Sequence, residues 1–198
     1  NIAIPAHQFE AALVQTGIDR EPAAFSNIDT AKAVDTLELS TRMISDLTGI
    51  EAFTELKYLS CGQNYIKKID LSKNTKLRHL FCGNSIDFMY EFGDDFEDYR
   101  FNEDLGNQLT ELDLSNNVEL EVVDVDFNKL RSLDLQNNKK LIYLSVSSNK
   151  LSKLNIDGNK KLEILHAEYN ELKKLNLQNN LNIKIIGLAN NQLSAIDI

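Results

Sequence analysis

The chain has 198 residues, a length that admits one domain or two, with a formal net charge of −9 and an isoelectric point near 4.9. An acidic surface of this kind is repelled by phosphate backbones and anionic lipid headgroups, which argues against nucleic-acid and membrane partners. No apolar run approaches the roughly 18 residues of a membrane span, no basic-apolar secretory segment opens the chain, and two cysteines are too few for a disulfide scaffold. The chain starts at Asn1 rather than Met, which leaves room for a trimmed leader.

The first predicted element is an amphipathic helix over Pro5–Val14. Pro5 suits its first turn, Phe9, Ala12 and Leu13 share one face, and Gly17 suits its stop. A second short helix is predicted over Thr30–Val34. Val34 to Glu55 forms a 22-residue unit in which Ile44, Leu47, Ile50 and Phe53 keep an apolar spacing. A 21-residue frame opens at Leu56 (LKYLSCGQNYIKKIDLSKNTK) and recurs from Leu120, Leu141, Leu162 and, in part, Ile183. The coil at Leu77 begins LRHLFCGNS, loses register and recovers it at Leu109. Leu77 and Leu120 lie 43 residues apart instead of 21, so 22 residues are extra, placed at 86–107. The last partial repeat, Ile183 to Ile198, ends on an apolar residue without a capping element, and a natural or cut chain end is expected close to it.

The columns of the frame carry its physics. Positions one, four and six are apolar, as in Leu120, Val123 and Val125 or Leu141, Leu144 and Val146. Positions four and six lie two residues apart, so both point inward from a short strand. Position nine is asparagine at Asn64, Asn128, Asn149, Asn170 and Asn191, with Arg42 in its place in the first unit. A buried amide there can bond the backbone groups that a turning chain leaves unpaired. A second limb repeats the pattern, as in Leu112-Asp113-Leu114 and Leu133-Asp134-Leu135, with its own ladder at Asn74, Asn117, Asn138, Asn159 and Asn180. The second limb is predicted to be a short strand or extended segment, with no room for a long helix.

These residues resemble the leucine-rich-repeat family, specifically its short 21-residue class with nested LxxLxLxxN and LxxLDLxxN halves, over about Val34 to Ile198. The resemblance implies a mostly-β α/β repeat solenoid: a curved right-handed superhelix of about seven coils, with parallel concave strands at 34–198 and a helical cap at 1–33, in one structural domain. The first unit resembles the first coil of internalin-like proteins. IPAHQFEAALVQTGID followed by ISDLTGIEAF looks like the N-terminal cap of secreted or surface proteins of Bacteroidetes-type bacteria, which implies an extracellular or cell-surface location.

Positions three, five, seven and eight should face outward from the concave strands, stacked about 4.8 Å apart. They supply the candidate ligand-binding residues Tyr58, His79, Phe81, Asp124, Asp126, Phe127, Tyr143, His166, Glu168 and Tyr169. Rigid aromatics beside carboxylates suit a protein interface, and they also suit sugar rings, which stack and hydrogen-bond there. The extra segment 86–107 carries eight acidic residues, one basic residue and six aromatics: Phe88, Tyr90, Phe92, Phe96, Tyr99 and Phe101. Insertions in repeat proteins leave as loops on one face, often the binding face. Packing of these aromatics against the solenoid competes with ligand contact. Asp94, Asp95, Glu97 and Asp98 could hold calcium weakly, although without EF-hand spacing.

Cys61 and Cys82 share position six, 21 residues apart. The spacing permits a disulfide, but two small buried apolar thiols are the expectation. His166 with Glu168 and Asp124 with Asp126 could pair, yet no nucleophile, oxyanion hole or enclosed pocket accompanies them. No cofactor or metal is expected. The reading is a non-catalytic binding module, for a protein ligand or alternatively a glycan, with a structural spacer as the third option.

Overall fold

The computed structural model describes residues 7–18, 28–83 and 106–198. Helix α1 spans His7–Gln15 and α2 spans Ile28–Ala33. Phe9, Ala12 and Leu13 are buried, as their spacing predicts. The stop of α1 is a Schellman motif: the Ile18 amide donates to the Leu13 carbonyl and the Gly17 amide to Val14, with Gly17 left-handed at φ 74°. The predicted first turn at Pro5 lies outside the described residues. Phe9 packs on Phe53 of the first coil, ring centroids 6.3 Å apart, so the cap covers the open end of the repeat core.

Strands of three residues follow: β1 Thr36–Glu38, β2 Tyr58–Ser60, β3 His79–Phe81, β4 Val122–Asp124, β5 Tyr143–Ser145 and β6 Ile164–His166. Beyond them lie β7 Lys174–Asn176, β8 Ile185–Gly187 and β9 Ala195–Asp197. Strands β1 to β6 and β8 form one seven-stranded parallel sheet in coil order. Its register aligns Leu37, Leu59, Leu80, Val123, Leu144, Leu165 and Ile186, so position four forms one continuous column. Burying each such leucine stabilises the fold by about 1.5–3 kcal/mol. The architecture is a mostly-β parallel solenoid of about seven turns.

The second limb is extended but, among the described residues, pairs as strand only at β7 with β9. In the earlier coils its backbone is satisfied locally. Asp70, Asp113 and Asp134 each accept the amide two residues on, and Asn74, Asn117 and Asn138 close tight turns through their own amides. Such turns substitute for a ladder of strand bonds.

Both asparagine ladders are buried, except at Asn191 in the last coil, which is half-buried. In the first, Asn149 accepts the Leu130 amide and donates to the carbonyls of Val125, Val146 and Ser147, tying two coils together. Arg42, which replaces this asparagine in the first coil, turns outward to bond Gln15 of α1 and so ties the cap to the repeats.

Two expectations are corrected. Cys61 and Cys82 form a disulfide rather than standing as free thiols. Parallel register stacks their inward-facing positions with a Cα separation of 4.9 Å, inside the range a disulfide spans. The second correction concerns the extra segment. Asn107 holds the ladder position of the third coil: it accepts the Ile66 amide and donates to the carbonyls of Cys61 and Cys82. Gly106 precedes it with positive φ, as the residue before each ladder asparagine does in the neighbouring coils. The frame therefore breaks after Gly83 and resumes at Gly106, which moves the extra segment from 86–107 to 84–105.

Candidate functional site

The strand face is built from alternation. Positions four and six turn into the core, so three and five turn out, and the chain then bends at positions seven to nine. Position eight is left-handed in coil after coil: Gln63, Phe127, Ser148, Tyr169 and Asn190 all have φ between 51° and 56°. This conformation is unfavourable for residues with a Cβ and best tolerated by Asn, Asp or Gly. It pushes the side chain of Tyr169 off the sheet, where it is 61% exposed.

The candidate aromatics form two groups. Tyr58, on β2, meets His79 edge-on at 6.0 Å and Phe81 at 5.5 Å, both on β3. Burial raises the Tyr58 phenol above its ordinary value, helped by the Glu38 carboxylate and opposed by Ser60. Arg78 makes a bidentate pair with Glu121, and His79 lies 4.0 Å from the same carboxylate. The second group is Tyr143 on β5 and His166 on β6, ring centroids 6.1 Å apart, with Tyr169 beyond. Phe127 is half-buried at the β4 bend. Among the described residues the two groups lie on either side of the Val122 and Asp124 positions of β4.

Between and beside them runs a polar column. Asp126 accepts the Ser147 amide at 2.5 Å and pairs with the Ser145 hydroxyl at 2.6 Å. The Ser147 hydroxyl donates to Glu168 at 2.7 Å, and His166 Nδ1 lies 3.4 Å from the other Glu168 oxygen. Asp124 accepts the Asp126 amide. Burial raises the Glu168 carboxyl, but the Ser147 hydroxyl, its own amide and His166 outweigh that and hold it below its ordinary value. Glycines make room: a Cβ at Gly83 would overlap the Asp124 carboxylate, and one at Gly187 would overlap Glu168.

Asp126 therefore departs from its expected place. The sequence puts it outward and available, whereas it is 7% exposed and enclosed by its bonds to the next coil. Small serines at positions five and seven of β5 let the carboxylate fold down over them. Sequence reasoning places Ser145 on the outward face at position five but outside the candidate set, and it passes over Ser147; their pairing with an aspartate one coil earlier was the available signal. Among the described residues, positions three to eight of the coils carry Asp, Glu and His but no Lys or Arg. The insertion residues Phe88, Tyr90, Phe92, Phe96, Tyr99 and Phe101, and the calcium candidates Asp94, Asp95, Glu97 and Asp98, lie outside the described residues.

No family model matches the chain, and no curated protein matches its sequence. Solved structures do match in fold. An internalin, InlF, of Listeria monocytogenes has a TM-score of 0.66 at 21% identity, covering 82% of this chain and 43% of that one. Internalin C2 of the same organism has a TM-score of 0.63 at 19% identity, covering 98% of this chain and 88% of that one. A leucine-rich-repeat protein of Leptospira interrogans has a TM-score of 0.58 at 20% identity, covering 85% of this chain and 50% of that one. The chain thus spans less than half of the InlF chain and half of the Leptospira chain. The fold is a leucine-rich-repeat solenoid. Among the described residues no helix is long and apolar enough to cross a membrane.

Proposed function

We propose that the chain is a non-catalytic recognition module that binds a protein partner through its strand face, at a cell surface or outside the cell. The observation that carries this reading is the pair of aromatic patches, Tyr58-His79-Phe81 and Tyr143-His166-Tyr169, held on a rigid parallel sheet. Rigid aromatic anchors on a preordered surface lose little entropy on binding. The likeness to internalins supports a protein ligand, and the Cys61–Cys82 disulfide supports an oxidising compartment. The acidic-aromatic segment that leaves the third coil is assigned to the same recognition surface, and Phe88, Tyr90, Phe92, Phe96, Tyr99 and Phe101 to partner contact.

A carbohydrate ligand is the second reading, favoured by the half-buried carboxylate Glu168 beside His166, whose ring meets Tyr143. An affinity pull-down with mass spectrometry, run on the intact chain beside a form with 84–105 replaced by a short Gly/Ser linker, tests the first reading. Capture of one partner by the intact chain and its loss on Phe81→Ala, Tyr143→Ala and Tyr169→Ala are expected. Background capture by every form, with a positive glycan array, would replace the protein ligand by a sugar. A chain that binds neither is a spacer.

A further inference from the structure

The acidic balance of the chain hides a band of the opposite sign. After the ladder asparagine at position nine, each coil runs through positions ten to thirteen before its second limb begins. Position eleven is a buried leucine at Leu130, Leu151 and Leu172, so its neighbours at ten and twelve turn outward. Over the fourth to sixth coils, positions ten, twelve and thirteen hold Lys129, Arg131, Lys150, Lys153, Lys173 and Lys174, with Glu171 as the one acid among them. Lys129 is half-buried and bonds the Gln108 side chain; the other five cations are exposed.

The backbone under this band is fixed from coil to coil. The amide at position ten donates to the position-eleven carbonyl of the coil before, Lys150 to Leu130 at 2.8 Å and Glu171 to Leu151 at 2.9 Å. Successive coils therefore present their cations in rows about 4.8 Å apart. Among the described residues none of the six makes an ion pair. The bend that leads into each strand is built differently. There Lys76 pairs with Glu55, Arg78 with Glu121, Lys140 with Glu119 and Lys184 with Glu163, each on an adjacent coil.

We propose that the lateral band binds a linear sulfated polysaccharide, at a site separate from the strand face. Rows of cations at the coil spacing meet a chain whose anionic groups recur along its length. The hydroxyls of Ser132 and Ser152 lie in the same rows and can donate to sulfate oxygens. The band offers no apolar anchor: its leucines are buried and its outward positions in these three coils carry no aromatic. Protein interfaces draw on aromatic and apolar anchors, and single-stranded nucleic acids on aromatic stacking. The net charge of −9 acts on a polyanion at long range, but within a Debye length of about 8–10 Å the local cations govern contact. The proposal does not depend on what the strand face binds.

Titration calorimetry with heparin as the probe tests it, on the intact chain and on Arg131→Ser/Lys153→Ser/Lys173→Ser. Serine already stands at positions twelve and thirteen in Ser132, Ser152 and Ser194, so the repeat frame accommodates the changes. The intact chain should bind, and the triple variant should bind about tenfold more weakly. The slope of log affinity against log salt should fall by about one for each engaged cation removed. Lys139→Ser/Lys160→Ser/Lys161→Ser, on the bend that leads into the strands, should bind as the intact chain does. Poly-glutamate should bind more weakly than heparin. No binding by the intact chain, equal binding by the band variant, an equal loss in both variants, or poly-glutamate as tight as heparin overturns the proposal. The rival occupant within the chain is its own acidic segment. Binding that appears only when 84–105 is replaced by a Gly/Ser linker would give the band to that segment and overturn the proposal. If the band variant does not fold, lysine acetylation of the native chain decides. Heparin should protect Lys150, Lys153, Lys173 and Lys174, and protection confined to other lysines overturns the site.

Discussion

The two asparagine ladders use the same side chain in unequal ways. Asn149 satisfies both ends of its amide, with one bond accepted and three donated across two coils. Asn138 only donates, to the carbonyls of Leu114 and Asn117 in the preceding coil, and its oxygen meets no partner. Each carbonyl or amide left unpaired in the core costs about 1–3 kcal/mol. Asn149→Ala should therefore lose about 3 kcal/mol or more in urea unfolding, and Asn138→Ala about 2 kcal/mol. Equal losses would show that the first ladder's extra bonds are replaced by water. Position eight offers the opposite case. Tyr169 holds a left-handed backbone that Asn190 occupies in the next coil with the residue type best suited to it. Since the Tyr169 side chain packs on little, Tyr169→Asn should stabilise the chain by about 0.5–1 kcal/mol while weakening capture of its partner. A more stable variant with undiminished binding would remove Tyr169 from the recognition surface.

The strands and turns show where sequence pattern is informative. Positions one, four and six repeat at a fixed interval, and a residue with the same neighbours in every coil has one environment to satisfy. That is why the strands near Tyr58, His79, Val122, Tyr143 and Ile164 were readable in advance. Features that depend on the partner coil were less readable. The burial of Asp126 depends on serines in the next coil, one full repeat away. The edge of the extra segment was obscured by Asn84, which sits beside the expected ladder position, while the ladder bonds are made by Asn107. The disulfide follows from register, which composition cannot distinguish from a pair of packed thiols. It closes a loop of 21 residues between β2 and β3. Loop-closure entropy alone gives such a bridge about 3 kcal/mol. Cys61→Ala with Cys82→Ala should lower the stability of the oxidised chain by roughly that amount, and a loss near zero would mean that the stacked coils already supply the constraint.

Each coil of the solenoid contacts chiefly the coils before and after it, so stability is distributed along the stack rather than shared by one central core. At one end the cap and Arg42 close the first coil. At the other, Ile186 of the leucine column is 40% exposed, since no further strand pairs with β8 among the described residues. Amide hydrogen exchange should therefore be slowest in β4 and β5 and fastest in β8 and β9. Uniform protection would imply that the coils open as one unit. The splice between Gly83 and Gly106 has a consequence for how such a molecule changes over time. The extra segment enters from one ladder bend and the chain re-enters at the same bend, on bonds from Asn107 that any other coil would make. The third coil thus works as a socket. The bonds that Asn107 makes to Ile66, Cys61 and Cys82 involve no residue between those two glycines, so they anchor the ladder at this coil independently of the sequence inserted there.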